Sequence, residues 1–155
     1  MTITTTTHLN FRGDARHALE FYRSVFGGEL TTARYADLGM PADAPGADGV
    51  VFGLLESPSG FRVMAYDIPG ATGGTPAAAA AGSTRRESGL TITDRPFFLS
   101  VRGETLAEVE RYWTALAEGG TVIEPLAASP WSPGFGMLVD AFGVTWILDV
   151  AAADR

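Results

Sequence analysis

The sequence predicts an α+β protein made of two similar β-α-β-β-β modules, whose curved sheets pair around a cavity. A strand, a turn and a helix occur twice at an offset of 90 residues, and each helix precedes a pair of glycines. The identical positions are Leu9/Leu99, Arg12/Arg102, Gly13/Gly103, Glu20/Glu110 and Tyr22/Tyr112. A second repeat links the third strands, in which Phe52-Gly53-Leu54-Leu55 parallels Phe135-Gly136-Met137-Leu138. Duplication of this kind predicts one architecture for both modules.

The first module is predicted to span residues 1–68. Residues 4–11 are rich in β-branched side chains and predict a strand. Apolar residues at helical spacing follow Asp14, a good N-cap residue, and the helix is expected to end at Gly27-Gly28. Three further strands are predicted over residues 29–35, 50–55 and 61–68, with a loop over 39–48 and a turn over 57–60.

Residues 69–95 are predicted to form a flexible linker without a packed strand. They contain several glycines, five consecutive alanines at 77–81 and the pair Arg85-Arg86. Such a composition is typical of a mobile connection, and the alanines are compatible with a short helical turn. We expect the two arginines to be solvated.

The second module is predicted to span residues 96–155 and to repeat the order of the first. A strand over 96–101 precedes a helix in which Thr105 and Glu108 have the spacing of a capping box. Gly119-Gly120 ends that helix, and a strand over 121–126 follows. A loop over 127–134 carries Trp131 between two prolines, and the last strands are expected over 135–139 and 144–150.

Composition excludes several classes of protein. The 155 residues contain no cysteine, which excludes disulfides, thiolate catalysis and zinc-thiolate sites. No apolar run is long enough to cross a membrane, and the N-terminus lacks a signal sequence, so we expect a cytoplasmic protein without a membrane partner. The net charge of −7 argues against nucleic acid as a partner. It weakly favours a cationic ligand, although solubility alone also accounts for it.

Several motifs identify a family resemblance. The first module carries His8-Leu9-Asn10-Phe11, Ala18-Leu19-Glu20-Phe21-Tyr22 and Phe26-Gly27-Gly28-Glu29-Leu30. These motifs resemble the vicinal oxygen chelate superfamily, which includes glyoxalase I, bleomycin-resistance proteins and extradiol dioxygenases. The second module resembles the PhnB-like branch in Trp131-Ser132-Pro133-Gly134-Phe135-Gly136 and in Asp140-Ala141-Phe142-Gly143-Val144-Thr145-Trp146. The resemblance covers nearly the whole chain outside the linker and implies the fold and a homodimer, but no particular reaction.

The same resemblance implies where a metal would bind. Metal-dependent members take their ligands from the first and last strands of each module. Carried over, these positions are His8, Phe98, and positions near Met64 and Ile147, where a glutamate is expected. Divalent ions need three or more nitrogen or oxygen ligands, and His8 supplies only one. Positions one residue away are apolar too, and Asp67 and Asp149 would have to turn in from strand ends. We therefore expect no metal and no cofactor.

His8 is the only histidine with a plausible catalytic position. His17 falls on the helix face opposite the apolar stripe and is expected to be solvated. His8 can act as a general base, with Asn10 orienting a ligand, or it can be a structural residue that is hydrogen-bonded within the cavity. A lone imidazole is not a catalytic constellation, so both interpretations stay open.

Alternation along the strands predicts the wall of a ligand cavity. A mixture of aromatic surface with a few polar groups is typical of small-molecule sites, and also of two packed sheets. We expect Trp146 to pack under the helix and Trp131 to lie on a loop that closes the mouth. The predicted ligand-binding residues are Asn10, Phe52, Arg62, Met64, Tyr66, Phe98, Ser100, Trp131, Phe135, Ile147 and Asp149.

Three hypotheses for function follow. The first is a metal-free small-molecule-binding protein of the sequestration or resistance type, with a bulky aromatic or cationic ligand. The second is a metal-independent isomerase or lyase that uses His8 as its general base. The third is a member without a pocket that is kept for dimer assembly.

Overall fold

A computed structural model describes residues 2–74, 82 and 84–152. The chain divides into two compact units, Met1–Gly74 and Thr75–Arg155, which we call the first and second unit. The helical turn expected in the alanines at 77–81 lies outside the described residues.

The first unit has the predicted β-α-β-β-β order. Its elements are β1 (Thr7–Phe11), α1 (Ala15–Phe26), β2 (Glu29–Arg34), a short 3-10 helix (Tyr35–Leu38), β3 (Val50–Glu56) and β4 (Arg62–Asp67). The strands form one sheet in the order β1-β4-β3-β2. The first strand pairs with the last in parallel, and the other neighbours are antiparallel.

Helix α1 packs against one face of this sheet. Leu9, Ala65 and Gly53 lie side by side in the strand register. A Cβ atom on Gly53 would meet the Leu19 side chain, which shows that this row faces α1. The helix buries Leu19 and Tyr22 completely against that face. Burial of each such large apolar side chain contributes about 1.5–3 kcal/mol, so this face forms the core of the unit.

The start of α1 differs from the prediction. Asp14 occupies the N-cap position, but its side chain makes no capping hydrogen bond. Instead, Asp67 Oδ1 accepts hydrogen bonds from the backbone N–H groups of Gly13 and Ala15, at 2.9 and 3.0 Å. Asp67 Oδ2 accepts a third from the Val50 N–H at 2.8 Å. A carboxylate at the end of β4 therefore satisfies the helix start that the local sequence assigned to Asp14.

The second unit contains the same four-stranded arrangement. Its elements are β5 (Arg85–Glu87), β6 (Leu90–Ile92), β7 (Leu99–Gly103), α2 (Leu106–Ala117), β8 (Thr121–Ser129), β9 (Ser132–Val139) and β10 (Thr145–Val150). The sheet has the order β7-β10-β9-β8, again with a parallel pair between its first and last strands. Both units are therefore α+β, as predicted. In the described part of the chain, no helix is long and apolar enough to cross a membrane.

Helix α2 covers one face of the second sheet. Thr105 Oγ1 accepts a hydrogen bond from the Glu108 N–H at 3.2 Å, as the capping-box spacing predicted. A Cβ atom on Gly136 would meet the Trp113 ring of α2, and Gly136 lies beside Leu148 in the register. Trp146 lies two residues from Leu148 and is fully buried on the same face, so its predicted place under the helix is confirmed.

The prediction of no packed strand over residues 69–95 is wrong for 85–92. Strands β5 and β6 form an antiparallel hairpin there. Its two-residue turn has positive φ at Ser88 (51°) and at Gly89 (77°), as a type I′ turn requires. The turn and the threonine and isoleucine of β6 make a strand pair possible within a Gly- and Ala-rich segment.

The predicted loop over 127–134 is a tight hairpin instead. Ser129 pairs with Ser132, so only Pro130 and Trp131 form the turn. The register between β8 and β9 shifts at several points, which accommodates Pro125 in β8 and Pro133 in β9. Such shifts are possible because β8 is an edge strand, and its bulges interrupt the hydrogen-bonded ladder.

Candidate functional site

The first sheet has one face that no helix of its unit covers. Paired residues point to the same side of a sheet, and His8 pairs with Met64, which pairs with Leu54. Asn10 pairs with Tyr66 on the same side. This row alternates with the buried row that faces α1, and its members are half-buried or exposed. The first helix-free face consists of His8, Asn10, Phe52, Leu54, Met64 and Tyr66.

His8 is held by two neighbours on this face. Its Nδ1 lies 3.1 Å from Asn10 Oδ1, and its ring meets the edge of Tyr66 with centroids 5.2 Å apart. An amide oxygen can only accept, so this contact is a hydrogen bond in the tautomer with the proton on Nδ1, and in the neutral form of that tautomer Nε2 keeps a lone pair. His8 is exposed, which leaves that lone pair accessible. The arrangement can accept a proton or a hydrogen bond from a ligand.

Arg62 and Phe52 lie at the margins of the same face. Arg62 Nε donates to Thr6 Oγ1 at 3.1 Å, and its Nη1 lies 3.2 Å from Glu56 Oε2. Its charge is therefore already paired. Phe52 is 40% exposed and extends the apolar part of the surface.

The second sheet has a corresponding face. Ser100, Ile147 and Met137 lie side by side in one row. Arg102, Asp149 and Phe135 form the next row. These six residues lie on the side opposite α2, and we call them the second helix-free face with reference to the described part of the unit. Phe98 precedes β7 and is half-buried, and Ser100 is exposed.

Asp149 is not a free carboxylate. Arg102 donates to it from Nη2 at 2.8 Å and from Nε at 3.1 Å. The hydrogen bond to Asp149 and its charge raise the pKa of Arg102. The Asp149 side chain is only 9% exposed, whereas Arg102 is 67% exposed. Asp149 is a predicted ligand-binding residue, but both of its carboxylate oxygens already accept hydrogen bonds from Arg102.

The β5–β6 hairpin covers part of the second helix-free face. Thr91 Oγ1 donates to Met137 Sδ at 3.5 Å, and Met137 is fully buried. The Arg86 guanidinium carbon lies 5.2 Å from the centroid of the Phe135 ring. Arg86 is half-buried, so the expectation that it is solvated is wrong. The sequence signal for this contact is the Ser88-Gly89 turn, which forms the hairpin that places Arg86 there.

A cavity of about 250 Å³ adjoins this contact. Trp131 meets Phe135 edge to face, with centroids 5.3 Å apart, and is 52% exposed. Both residues line the cavity with Arg86 and Glu124. Two of the predicted ligand-binding residues, Trp131 and Phe135, therefore come together beside Arg86, which was not among the predicted site residues.

Another cavity, of about 300 Å³, lies within the first unit. Its wall includes Tyr35, Asp67 and residues 68–72. The Tyr35 hydroxyl donates to the Asp67 carbonyl at 2.7 Å, and burial raises the pKa of Tyr35. None of the predicted site residues lines it. The one buried carboxylate in its wall, Asp67, already accepts three backbone hydrogen bonds, so this carboxylate is poorly placed to act on a ligand.

The donor set does not fit the divalent metal that the family resemblance implies. The residue beside His8 in the last strand is Met64, and Phe98 and Ile147 offer no nitrogen or oxygen side-chain atom. Asp67 points to the α1 face, and Asp149 is tied to Arg102. Among the described residues, no three His, Cys, Asp or Glu side chains form a group that could hold an ion. A hard divalent ion needs more oxygen and nitrogen ligands than His8 supplies.

Comparisons with known proteins agree with the topology. The model of the glyoxalase/bleomycin resistance protein/dioxygenase superfamily matches residues 6–148. Protein PA1353 from Pseudomonas aeruginosa is 29% identical, with a TM-score of 0.72 over 97% of this chain and 98% of that one. A Bacillus cereus PhnB protein, described as a putative 3-demethylubiquinone-9 3-methyltransferase, is 27% identical, with a TM-score of 0.68 over 96% and 100%.

A more distant structure shares the fold alone. The fosfomycin resistance protein FosX from Listeria monocytogenes is 11% identical, with a TM-score of 0.53 over 99% of this chain and 96% of that one. No protein with a curated functional description matches the chain.

Proposed function

Because the chain belongs to the glyoxalase/bleomycin resistance protein/dioxygenase superfamily, we propose that it binds a small aromatic molecule and does so without a metal ion. The helix-free faces of the two sheets carry the binding residues. The protein then acts by sequestration, as a resistance-type binder does, rather than by metal-dependent catalysis.

One observation carries the proposal: the first helix-free face combines accessible aromatic surface with a fixed polar pair. Phe52 is 40% exposed, and Tyr66 is half-buried beside His8. His8 and Asn10 hold each other at 3.1 Å and can orient a polar group of the ligand. Sites for small molecules have this character, with apolar contact area for affinity and few polar groups for orientation.

A thermal-shift screen of small aromatic compounds tests this proposal. A ligand at 100 times its Kd stabilises the folded state by about 2.7 kcal/mol, which raises the Tm of a protein of this size by roughly 5–10 °C. In Phe52→Ala we expect the shift to shrink for the same ligand. In His17→Ala, a change on α1 away from the face, it should persist. Silence across a broad library would leave the protein as a member kept for assembly and would refute the proposal.

The geometry of His8 favours a second function, a metal-independent isomerase or lyase acting on a small carbonyl compound. In the neutral tautomer that donates from Nδ1 to the Asn10 amide oxygen, Nε2 can take a proton from the carbon next to the carbonyl and return it. His8→Ala should then lower turnover by about 10²–10⁴-fold while the fold is kept. Asn10→Ala should lower it less, because the imidazole remains. A bound compound that leaves chemically unchanged would exclude this function.

We also propose that the chain forms a homodimer. The family resemblance motivates this proposal, and large apolar side chains on the second unit support it: Phe97 is 56% exposed and Val122 46% exposed. Light scattering of the protein as it elutes from a size-exclusion column should give a mass of twice the 16.3 kDa of one chain. A monomer at micromolar concentration would refute it.

A further inference from the structure

The β5–β6 hairpin places a guanidinium over an aromatic ring, and this guanidinium has no carboxylate partner in the described part of the chain. Arg86 Nη1 donates to Thr91 Oγ1 at 2.9 Å, and its carbon lies 5.2 Å from the Phe135 centroid. Arg86 Nε is buried and has no hydrogen-bond partner among the described residues. A buried donor without an acceptor costs about 1–3 kcal/mol, and more when the group is charged. The guanidinium is therefore incompletely hydrogen-bonded within the described residues, and Arg86 lines a cavity from which an acceptor can approach it.

Neighbouring arginines of the second unit show the contrast. Arg102 pairs with Asp149 at 2.8 Å, and Arg85 Nε lies 2.7 Å from Glu87 Oε1. In the described part of the unit, no acidic group comes within 4.0 Å of the Arg86 guanidinium. Half-buried cations are ordinarily paired, because lost hydration has to be replaced.

The cavity beside Arg86 has the size and walls for a planar ligand. Its volume is about 250 Å³, and Trp131, which lines it, is 52% exposed. Trp131 and Phe135 offer aromatic surface at the same end as the guanidinium. Glu124 lines the cavity as well, so a dianion would be repelled while a single negative group at Arg86 is favoured.

We propose that this cavity binds a small aromatic monoanion, such as an aryl carboxylate. Its ring lies against Trp131 and Phe135, and its carboxylate accepts hydrogen bonds from the Arg86 guanidinium. Charge-assisted bonds of an arginine to a carboxylate are about twice as strong as neutral ones. The inference rests on the proposed function, because it names a ligand class for Trp131 and Phe135, two of the proposed binding residues in the second unit. It also revises the expectation of a cationic ligand, since Arg86 repels cations at this site.

Three probes that share one ring system and differ in charge test the charge preference: 1-naphthoate, 1-naphthamide and 1-naphthylmethylammonium. Calorimetry on the full chain gives each affinity, and the indole N–H resonance of Trp131 reports the location. We expect naphthoate to bind about 10-fold or more tightly than the amide, in line with charge-assisted hydrogen bonding. The ammonium compound should bind least.

Arg86→Gln keeps a polar side chain but removes the charge, so it should erase the preference for naphthoate over the amide. Arg85→Gln, on the adjacent residue, is the matched control and should keep the preference. Equal affinity of the acid and the amide, or an unchanged preference in Arg86→Gln, would overturn the inference while ligand binding itself stands. If no probe binds while the compound screen finds ligands of the first helix-free face, the inference fails alone. Silence in both experiments refutes both proposals.

Discussion

Removal of the Asp67 carboxylate should destabilise the protein far more than removal of the Asp149 carboxylate, although both residues lie at or near the end of the last strand of their unit. Asp67 is 4% exposed and accepts three backbone hydrogen bonds. In Asp67→Ala the N–H groups of Ala15 and Val50 stay buried without acceptors, at about 1–3 kcal/mol each. The Gly13 N–H is only part-buried and can bond to water. We therefore expect a loss of about 4 kcal/mol, a large part of a typical stability of 5–15 kcal/mol.

Asp149→Ala is the control. It frees Arg102, whose side chain is 67% exposed and regains hydration, so the cost should be about 1 kcal/mol or less. Asp67→Asn should fall between the two, because one amide oxygen can still serve Gly13 and Ala15 while the amide nitrogen faces the Val50 N–H. Urea unfolding followed by far-UV circular dichroism measures all three, and the Tm of Asp67→Ala should fall by roughly 8–16 °C. A loss below about 1 kcal/mol for Asp67→Ala, or an equal loss for Asp149→Ala, would refute the reasoning.

Two further predictions concern the first unit. Gly27 and Gly28 both have positive φ, but a Cβ atom at Gly28 would collide with the Glu56 backbone, whereas at Gly27 it meets nothing within 4 Å. Gly27→Ala should therefore cost about 1–3 kcal/mol of backbone strain by urea unfolding, and Gly28→Ala should cost more because the collision adds to the strain; similar losses would contradict this. The backbone N–H of Arg34 and then its guanidinium hold the pKa of Asp37 below its usual range. Because the folded-state pKa is the lower one, this stabilisation is present above the unfolded pKa of about 4 and is lost as pH falls through the folded value. Carboxyl NMR titration should give a depressed Asp37 midpoint, which Arg34→Gln moves only part of the way back because the backbone hydrogen bond remains. A full return, or no change, would contradict this.

The sequence predicted both sheets and helices because their signals are local and repeated. Helix α1 begins and ends where its apolar spacing and Gly27 indicate, and Trp146 lies under α2 as expected. The hairpin over 85–92 was missed because its strands are three residues each, and the Gly- and Ala-rich context outweighed the turn at Ser88-Gly89. The hairpin also contacts Met137, which is 46 residues beyond Thr91 in the sequence, too far for a local pattern to indicate.

The two aspartates show a different limit. In the first unit Leu9 pairs with Ala65, and Asp67 follows two residues later on the α1 face. In the second unit Leu99 pairs with Trp146, and Asp149 follows three residues later, on the helix-free face. A difference of one residue reverses the face that a side chain occupies. Register depends on pairing between distant strands, so the repeated motif could not reveal that one carboxylate supports a helix and the other forms an ion pair.

The parallel pairing of the first and last strands also has a kinetic consequence. Strand β1 gains its hydrogen-bonded neighbour only when β4 has been synthesised, because His8 pairs with Met64. The same delay separates β7 from β10, in which Ser100 pairs with Ile147. During translation each opening strand is therefore an unpaired edge for about 50 residues, at a synthesis rate of roughly 5–20 residues per second. Non-local pairing of this kind slows folding. The nascent chain is most prone to aggregation while these strand edges remain unpaired.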